Sequence, residues 1–220
     1  MGKVDPVYIH DLFNIFAVFG IIVLDFRYLY HATEWNKIGT PDLGADHLVM
    51  GHTLLSAFSI YMLIDTIWIA VQPKCVLSNP KALIIHHIAS FVFLSVPFIE
   101  KEFQWHGALT LFVEVNTLLL ILRRQFLPSS LMYAILDYSF LATWIFLRLV
   151  VFPILVVFFA YEHSRYTIRH NGKWFNIMLL APILQLILTL LGLKWTYDML
   201  IKMASKAAKI KEASLSQKLD

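Results

Sequence analysis

Residues 82–98 read ALIIHHIASFVFLSVPF, an apolar run with no acid, lysine or arginine, in which the adjacent His86 and His87 are the only ionisable groups. A charge-free stretch of this length reaches the roughly 17–25 residues that a helix needs to cross the hydrocarbon layer. Read outward from it, the chain repeats the pattern. Six spans emerge, at about 7–29, 47–71, 82–99, 105–122, 130–160 and 174–201. Of the 220 residues, 59% are hydrophobic and only 15% charged, which excludes an ordinary soluble domain. The expected fold class is all-α: a polytopic membrane protein of about six transmembrane helices, with residues 1–205 forming one membrane domain and 206–220 a basic tail.

Breakers mark the joins: GTPDLG at 39–44, Pro73 and Pro80 around KCVLSN, Pro128 before SSL, and HNGK at 170–173. The fifth span would run about 46 Å as one helix at 1.5 Å per residue, and Pro153 removes a backbone bond in its second half, so a kink or break is expected there. Pro182 predicts a bend in the sixth. The acids and the internal Asn14 in MGKVDPVYIHDLFNIF do not fit a cleavable signal, so the first span is expected to stay. The single Cys75 excludes an internal disulfide and a thiolate-rich metal cage.

An even number of spans puts both termini on one side. That side holds Lys3, Lys74, Lys81, Arg123, Arg124, Lys202, Lys206, Lys209, Lys211 and Lys218, ten basic residues; the other holds six, Arg27, Lys37, Lys101, Arg165, Arg169 and Lys173. The imbalance favours cytosolic termini. The tail suits an anionic lipid surface.

Ionisable groups inside a membrane are costly and are functional candidates by default. His86 and His87, Asp65, Glu114 and Asp137 all fall roughly 8–12 Å inside the same boundary at 1.5 Å per residue, so they can share one layer. A carboxylate beside an imidazole fixes its tautomer and orients its ring. Adjacent histidines on a helix diverge by about 100°, so His86 and His87 are expected to have unequal roles. Tyr61 and Asp65, four apart, share a face. Glu114 and Asn116 diverge by about 200° on a regular helix, and Glu114 is the one expected to face inward.

No His-x-x-x-His or Glu-x-x-His spacing occurs in the spans, so no metal site is expected. The other histidines, His10 among them, cluster at boundaries and need no special role. For Arg148 the expectations are snorkelling to the far surface or pairing with Glu162 or Asp25. Trp35, Trp105, Trp174, Trp195 and Tyr197 read as an interfacial belt.

In order along the chain, Tyr61-x-x-x-Asp65, the His86–His87 pair, Glu114 with Asn116 some 28 residues later, Arg123 or Arg124, Arg148, and an exit carrying Trp195 and Tyr197 resemble the TLC domain family (TRAM, LAG1 and CLN8 homology) over roughly 45–205. The resemblance implies six helices around a central cavity in an endoplasmic reticulum or related endomembrane, and a role with lipids. In its ceramide synthase branch an acyl group passes from acyl-CoA to a sphingoid amine, and the histidine pair is essential. Carried over, His86 or His87 would take the acyl group or act as base, with Asp65 or Glu114 orienting it and Tyr61, Asn116, Asp137, Arg148 and Trp195 contacting substrate. That branch follows the pair with a His-Asp-x-x-Asp-type motif; here FVEVN has Val113 in place of the histidine and lacks the second acid. In this it is similar to the smaller TLC-domain proteins, to which roles in membrane lipid composition or trafficking are assigned.

Three functions follow as expectations: an acyl-CoA-dependent acyltransferase acting on a lipid amine or alcohol, a non-enzymatic lipid-binding or lipid-homeostasis protein with a polar-lined cavity, and, third, a proton-coupled transporter. The expected partners are a lipid or acyl chain and the membrane. No cofactor is expected beyond acyl-CoA as substrate, and no nucleic acid.

Overall fold

The computed structural model describes residues 5–31, 45–77 and 79–216, with side chains as far as Ser205. Trp35, the 39–44 turn and the side chains of the basic tail lie outside the described residues. The elements are α1 (Pro6–His31), α2 (Ala45–Val71), α3 (Pro80–Ile99), α4 (Gln104–Leu111), α5 (Glu114–Arg123), α6 (Leu131–Trp144), α7 (Phe152–Arg169) and α8 (Leu180–Ser216), with no strand among the described residues. They make six stretches long and apolar enough to cross a membrane.

Local chemistry sets the helix ends. Asn79 caps α3 by accepting from the backbone N–H of Lys81 and Ala82, with Pro80 at the first position, where a missing N–H costs nothing. Ser130 does the same for α6 through Tyr133. In HNGK, Asn171 and Gly172 take positive φ, 59° and 72°, and the Gly172 N–H returns to the Thr167 carbonyl to end α7.

Two spans are not single regular helices. The fourth is split: between α4 and α5 the backbone tightens, Val113 N–H bonding to Thr110 and Asn116 N–H to Val113, so that Glu114 opens α5. In the fifth, the break expected at Pro153 takes the form of a π-helical turn at Ile145–Val151, where the Phe152 N–H reaches back to Leu147. A proline ring pressing on the preceding turn is relieved by widening the helix just upstream. The expected bend at Pro182 is not needed, because α8 begins at Leu180 and Pro182 falls in its first turn, where no intrahelical bond is lost.

The spans close into a ring: α1 packs on α2, α2 on α3, α3 on α8, α8 on α7 and the π turn, α6 on α5, and α5 back on α1. The ring encloses α4, which packs on α1, α2 and α3 and is buried on nearly every face. Gly51 permits the close approach, since a Cβ there would meet the Gln104 amide oxygen and the Tyr28 ring. Outward, Phe16, Ile60, Ile88, Val157 and Ile168 are exposed, as lipid-facing side chains are.

Candidate functional site

One end of the ring is plugged by α4; toward the other lies a cavity of about 400 Å³. Its rim is the 76–77 loop, Arg123 and Arg124 at the end of α5, and Lys202 on α8. Deeper, the walls are His10 and Asn14 of α1, Tyr61 and Asp65 of α2, His86 and His87 of α3, Glu114 of α5, Trp144 and Arg148 around the π turn, and Trp195 of α8. A far smaller apolar void of about 20 Å³ lies behind, walled by Phe58, Phe93, Leu111 and Leu188. His86 and Glu114 line both.

Donor and acceptor inventory fixes the protons in the upper layer. Tyr61 OH donates to Asn14 Oδ1 at 2.9 Å, and Asn14 Nδ2 lies 3.2 Å from both His10 ring nitrogens. The Asp65 carboxylate can only accept, so His10 carries a proton on Nε2 and donates it to Oδ1 at 2.6 Å. Across the carboxylate, His87 Nε2 stands 3.5 Å from Oδ2. The single Thr66 hydroxyl proton goes to the Met62 carbonyl, 2.6 Å away, so Thr66 Oγ1 accepts from His87 Nδ1–H at 3.1 Å. In the neutral ring His87 Nε2 then carries the lone pair, with an Asp65 carboxylate oxygen 3.5 Å from that same nitrogen. That is the arrangement of a proton acceptor.

The lower layer is different. His86 lies edge-on to Trp195 with ring centroids 5.4 Å apart, and its Nδ1 is buried without a partner. The Arg148 guanidinium stands 4.7 Å over Trp144 and 5.4 Å over Trp195, and its Nε and Nη1 are buried without partners. Glu114 is the carboxylate within its electrostatic reach. The floor thus holds an unpaired set of donors against aromatic faces. Such donors suit a carbonyl, carboxylate or phosphate oxygen.

Of the residues expected from sequence, His86, His87, Asp65, Glu114, Tyr61, Arg148 and Trp195 line this cavity. Asp137 does not: it pairs with Arg123, whose guanidinium also covers Phe140 at 4.4 Å, because the end of α5 brings a cation to it before any ligand could. Nor does Asn116, whose Nδ2 donates to the Phe140 carbonyl at 3.0 Å and Thr143 Oγ1 at 2.9 Å and so stitches α5 to α6. Arg148 neither snorkels nor pairs with Glu162 or Asp25; it is 5% exposed and faces inward, and Glu162 takes Arg165 instead. Trp195 leaves the expected belt for the cavity, and Trp105 is buried against His106 at 4.1 Å, whereas Trp174 and Tyr197 are exposed.

Sequence reasoning passed over His10 and Asn14, placing His10 among boundary histidines. The available signal was their spacing of four, one helical turn, inside an apolar start. It also passed over Asp11, which pairs with Arg124 at 2.7 Å and ties α1 to the rim. Burial lowers the Arg124 pKa, and Asp11 opposes the shift. Below the rim, burial pushes the Cys75 thiol up from its ordinary range, with the Asp65 charge adding to it.

Among the described residues no cluster of three or more His, Cys, Asp or Glu could hold a metal ion. The chain matches no curated protein and no solved structure. The model of the TLC domain matches residues 10–201, from the histidine that grips Asp65 to the end of the last span. This chain is an integral membrane protein of the TLC domain family.

Proposed function

We propose that the protein transfers an acyl group from acyl-CoA to a lipid amine or alcohol, with His87 Nε2 as the general base. The observation that carries this reading is His87 in the cavity wall, its Nδ1 3.1 Å from Thr66 Oγ1 and its Nε2 3.5 Å from an Asp65 carboxylate oxygen. The acceptor's N–H or O–H proton passes to His87 as its nitrogen or oxygen attacks the thioester carbon. The C–S bond breaks, an amide or ester bond forms, and the proton leaves with the thiolate. Asp65 offsets the charge the ring gains. Arg148, with Nε and Nη1 unpartnered, meets the oxygen on which charge develops. Arg124 and Lys202 at the rim suit the phosphates of a CoA donor. The rim lies on the side of Lys74, Lys81, Arg123, Arg124 and Lys202, which supports access from the cytosol with both termini on that side; an endoplasmic reticulum or related membrane is the setting the TLC family implies.

The test uses purified full-length protein in nanodiscs, an acyl-CoA panel, and lipid amines and alcohols, with products read by mass spectrometry. Turnover lost in His87→Ala with the fold kept is the expected result. Turnover that persists in the His86→Ala, His87→Ala double variant would overturn it. A second reading has its own support in the unpartnered Arg148 donors and the unpartnered His86 nitrogen: lipid retained through purification with no conversion across the panel marks a lipid-binding protein.

A further inference from the structure

Asp65 sits between two imidazoles and treats them unequally. His10 Nε2 is 2.6 Å from one carboxylate oxygen, a short charge-assisted contact, while His87 Nε2 is 3.5 Å from the other, too far for a strong bond. His10 and Asp65 are both at least 96% buried, so water does not dilute the difference. His10 is itself locked: Asn14 lies 3.2 Å from its ring nitrogens and is in turn held by the Tyr61 hydroxyl.

We infer that His10 is a positioning residue that holds Asp65 back from His87, keeping His87 Nε2 an open lone pair until a substrate brings a proton to it. The inference deepens the acyl-transfer reading and takes the role of His87 from it. It also gives α1 a share in the site, because among the described residues the other polar contact to an Asp65 oxygen is the longer one from His87 of α3. Without the His10 donor the carboxylate is free to swing toward His87, whose ring proton then moves from Nδ1 to Nε2 to meet it while Thr66 Oγ1 turns to donate to Nδ1. The lone pair is then occupied before any acceptor arrives. Asn14 and Tyr61 serve the same end by holding the His10 ring in place.

The experiment measures the rate at which diethyl pyrocarbonate acylates His87, resolved by peptide mass spectrometry, in the full-length protein in nanodiscs. His86 on the same peptide is the internal control. His10→Phe keeps the ring volume and loses the donor; His10→Gln offers an amide N–H at similar reach. Expected are a fall of about tenfold at His87 in His10→Phe, the scale of losing one hydrogen bond to a charged group, little change at His86, and recovery in His10→Gln. A purely structural role for His10 would slow or speed both histidines together and leave the two variants alike. Equal His87 rates in all three proteins, or parallel changes at His86, overturn the inference. Because the probe reads ring reactivity and not turnover, a protein that converts no substrate can still bear it out. Turnover lost in His87→Ala alongside unchanged His87 reactivity in His10→Phe would sink this inference and leave the acyl-transfer reading standing.

Discussion

Replacing Asn116 by Ala separates a helix-seam role from a ligand role. Asn116 is 1% exposed and makes two bonds to α6, to the Phe140 carbonyl and to Thr143 Oγ1. Interhelical hydrogen bonds in membrane proteins average about 0.6 kcal/mol, with a maximum near 1.7. Neither acceptor is orphaned by the change: Thr143 still donates to the Ser139 carbonyl at 2.8 Å, and it also lies 3.1 Å from the Phe140 carbonyl. The full penalty for a buried unsatisfied group therefore does not apply. Two average bonds give about 1.2 kcal/mol, and the void left by the amide raises the loss to roughly 1.5–2 kcal/mol. The assay is unfolding of the reconstituted protein by SDS in mixed micelles, followed by circular dichroism. His87 acylation by diethyl pyrocarbonate, measured in the native range, should stay near the wild-type rate. An unchanged unfolding midpoint would show that the seam does not rest on Asn116. Loss of cavity ligand at unchanged stability would return Asn116 to the substrate-contacting role expected from sequence.

Two further outcomes follow from the cavity and its rim. Arg148→Met keeps an unbranched side chain but removes the buried cation whose Nε and Nη1 have no partner, so affinity for an acyl-CoA probe should fall by about tenfold or more, with some loss of thermal stability because buried Glu114 loses the cation within its reach; intact binding would refute it. Cys75 is fully buried with its thiol pushed up, so alkylation by iodoacetamide at pH 8 should be at least several-fold slower in the folded protein than after denaturation, and equal rates would contradict the burial.

The spans were legible because hydrocarbon thickness acts on composition alone. Charge-free runs and breakers placed most boundaries within a few residues of those observed. The polar layer was legible too, since depth follows from counting residues inward. Azimuth was harder, because it depends on helix regularity. The 3.6-residue rule treats 105–122 as one helix, yet the backbone tightens between Thr110 and Asn116 and re-aims both Glu114 and Asn116. Arg148 was misplaced for a similar reason: nothing in its neighbourhood announces a π turn except Pro153, whose effect lies upstream. Asp137 lies outside the cavity lining and is reached by a cation from the preceding helix end, Arg123, a pairing fixed by tertiary approach and not by spacing. His10 is the instructive omission. A residue within the first turns of a span reads as an interface residue unless the ring closure that brings α1 against α2 is known.

Arg148 shows how the seam between the fifth and sixth spans turns an expensive charge into a usable one. Trp144 Nε1 donates to Thr196 Oγ1 at 2.9 Å, and Thr196 donates to the Gly192 carbonyl at 2.8 Å, so the indole is fixed before the guanidinium lies over it. Gly192 lies against the arginine stem: a Cβ there would stand in ordinary contact with Arg148 Cβ and Cδ, at 3.8 and 3.9 Å. Trp195, three residues on and so on the same face of α8, covers the cation from another side and meets His86 edge-on. Aromatic faces attract a desolvated cation, by about 2 kcal/mol or more in favourable cases, without consuming its N–H donors. A carboxylate partner would hold the charge as well but would occupy those donors. The seam therefore keeps Arg148 charged, buried and unpaired at Nε and Nη1 at the cavity floor, the condition in which it can still receive an oxygen from a ligand.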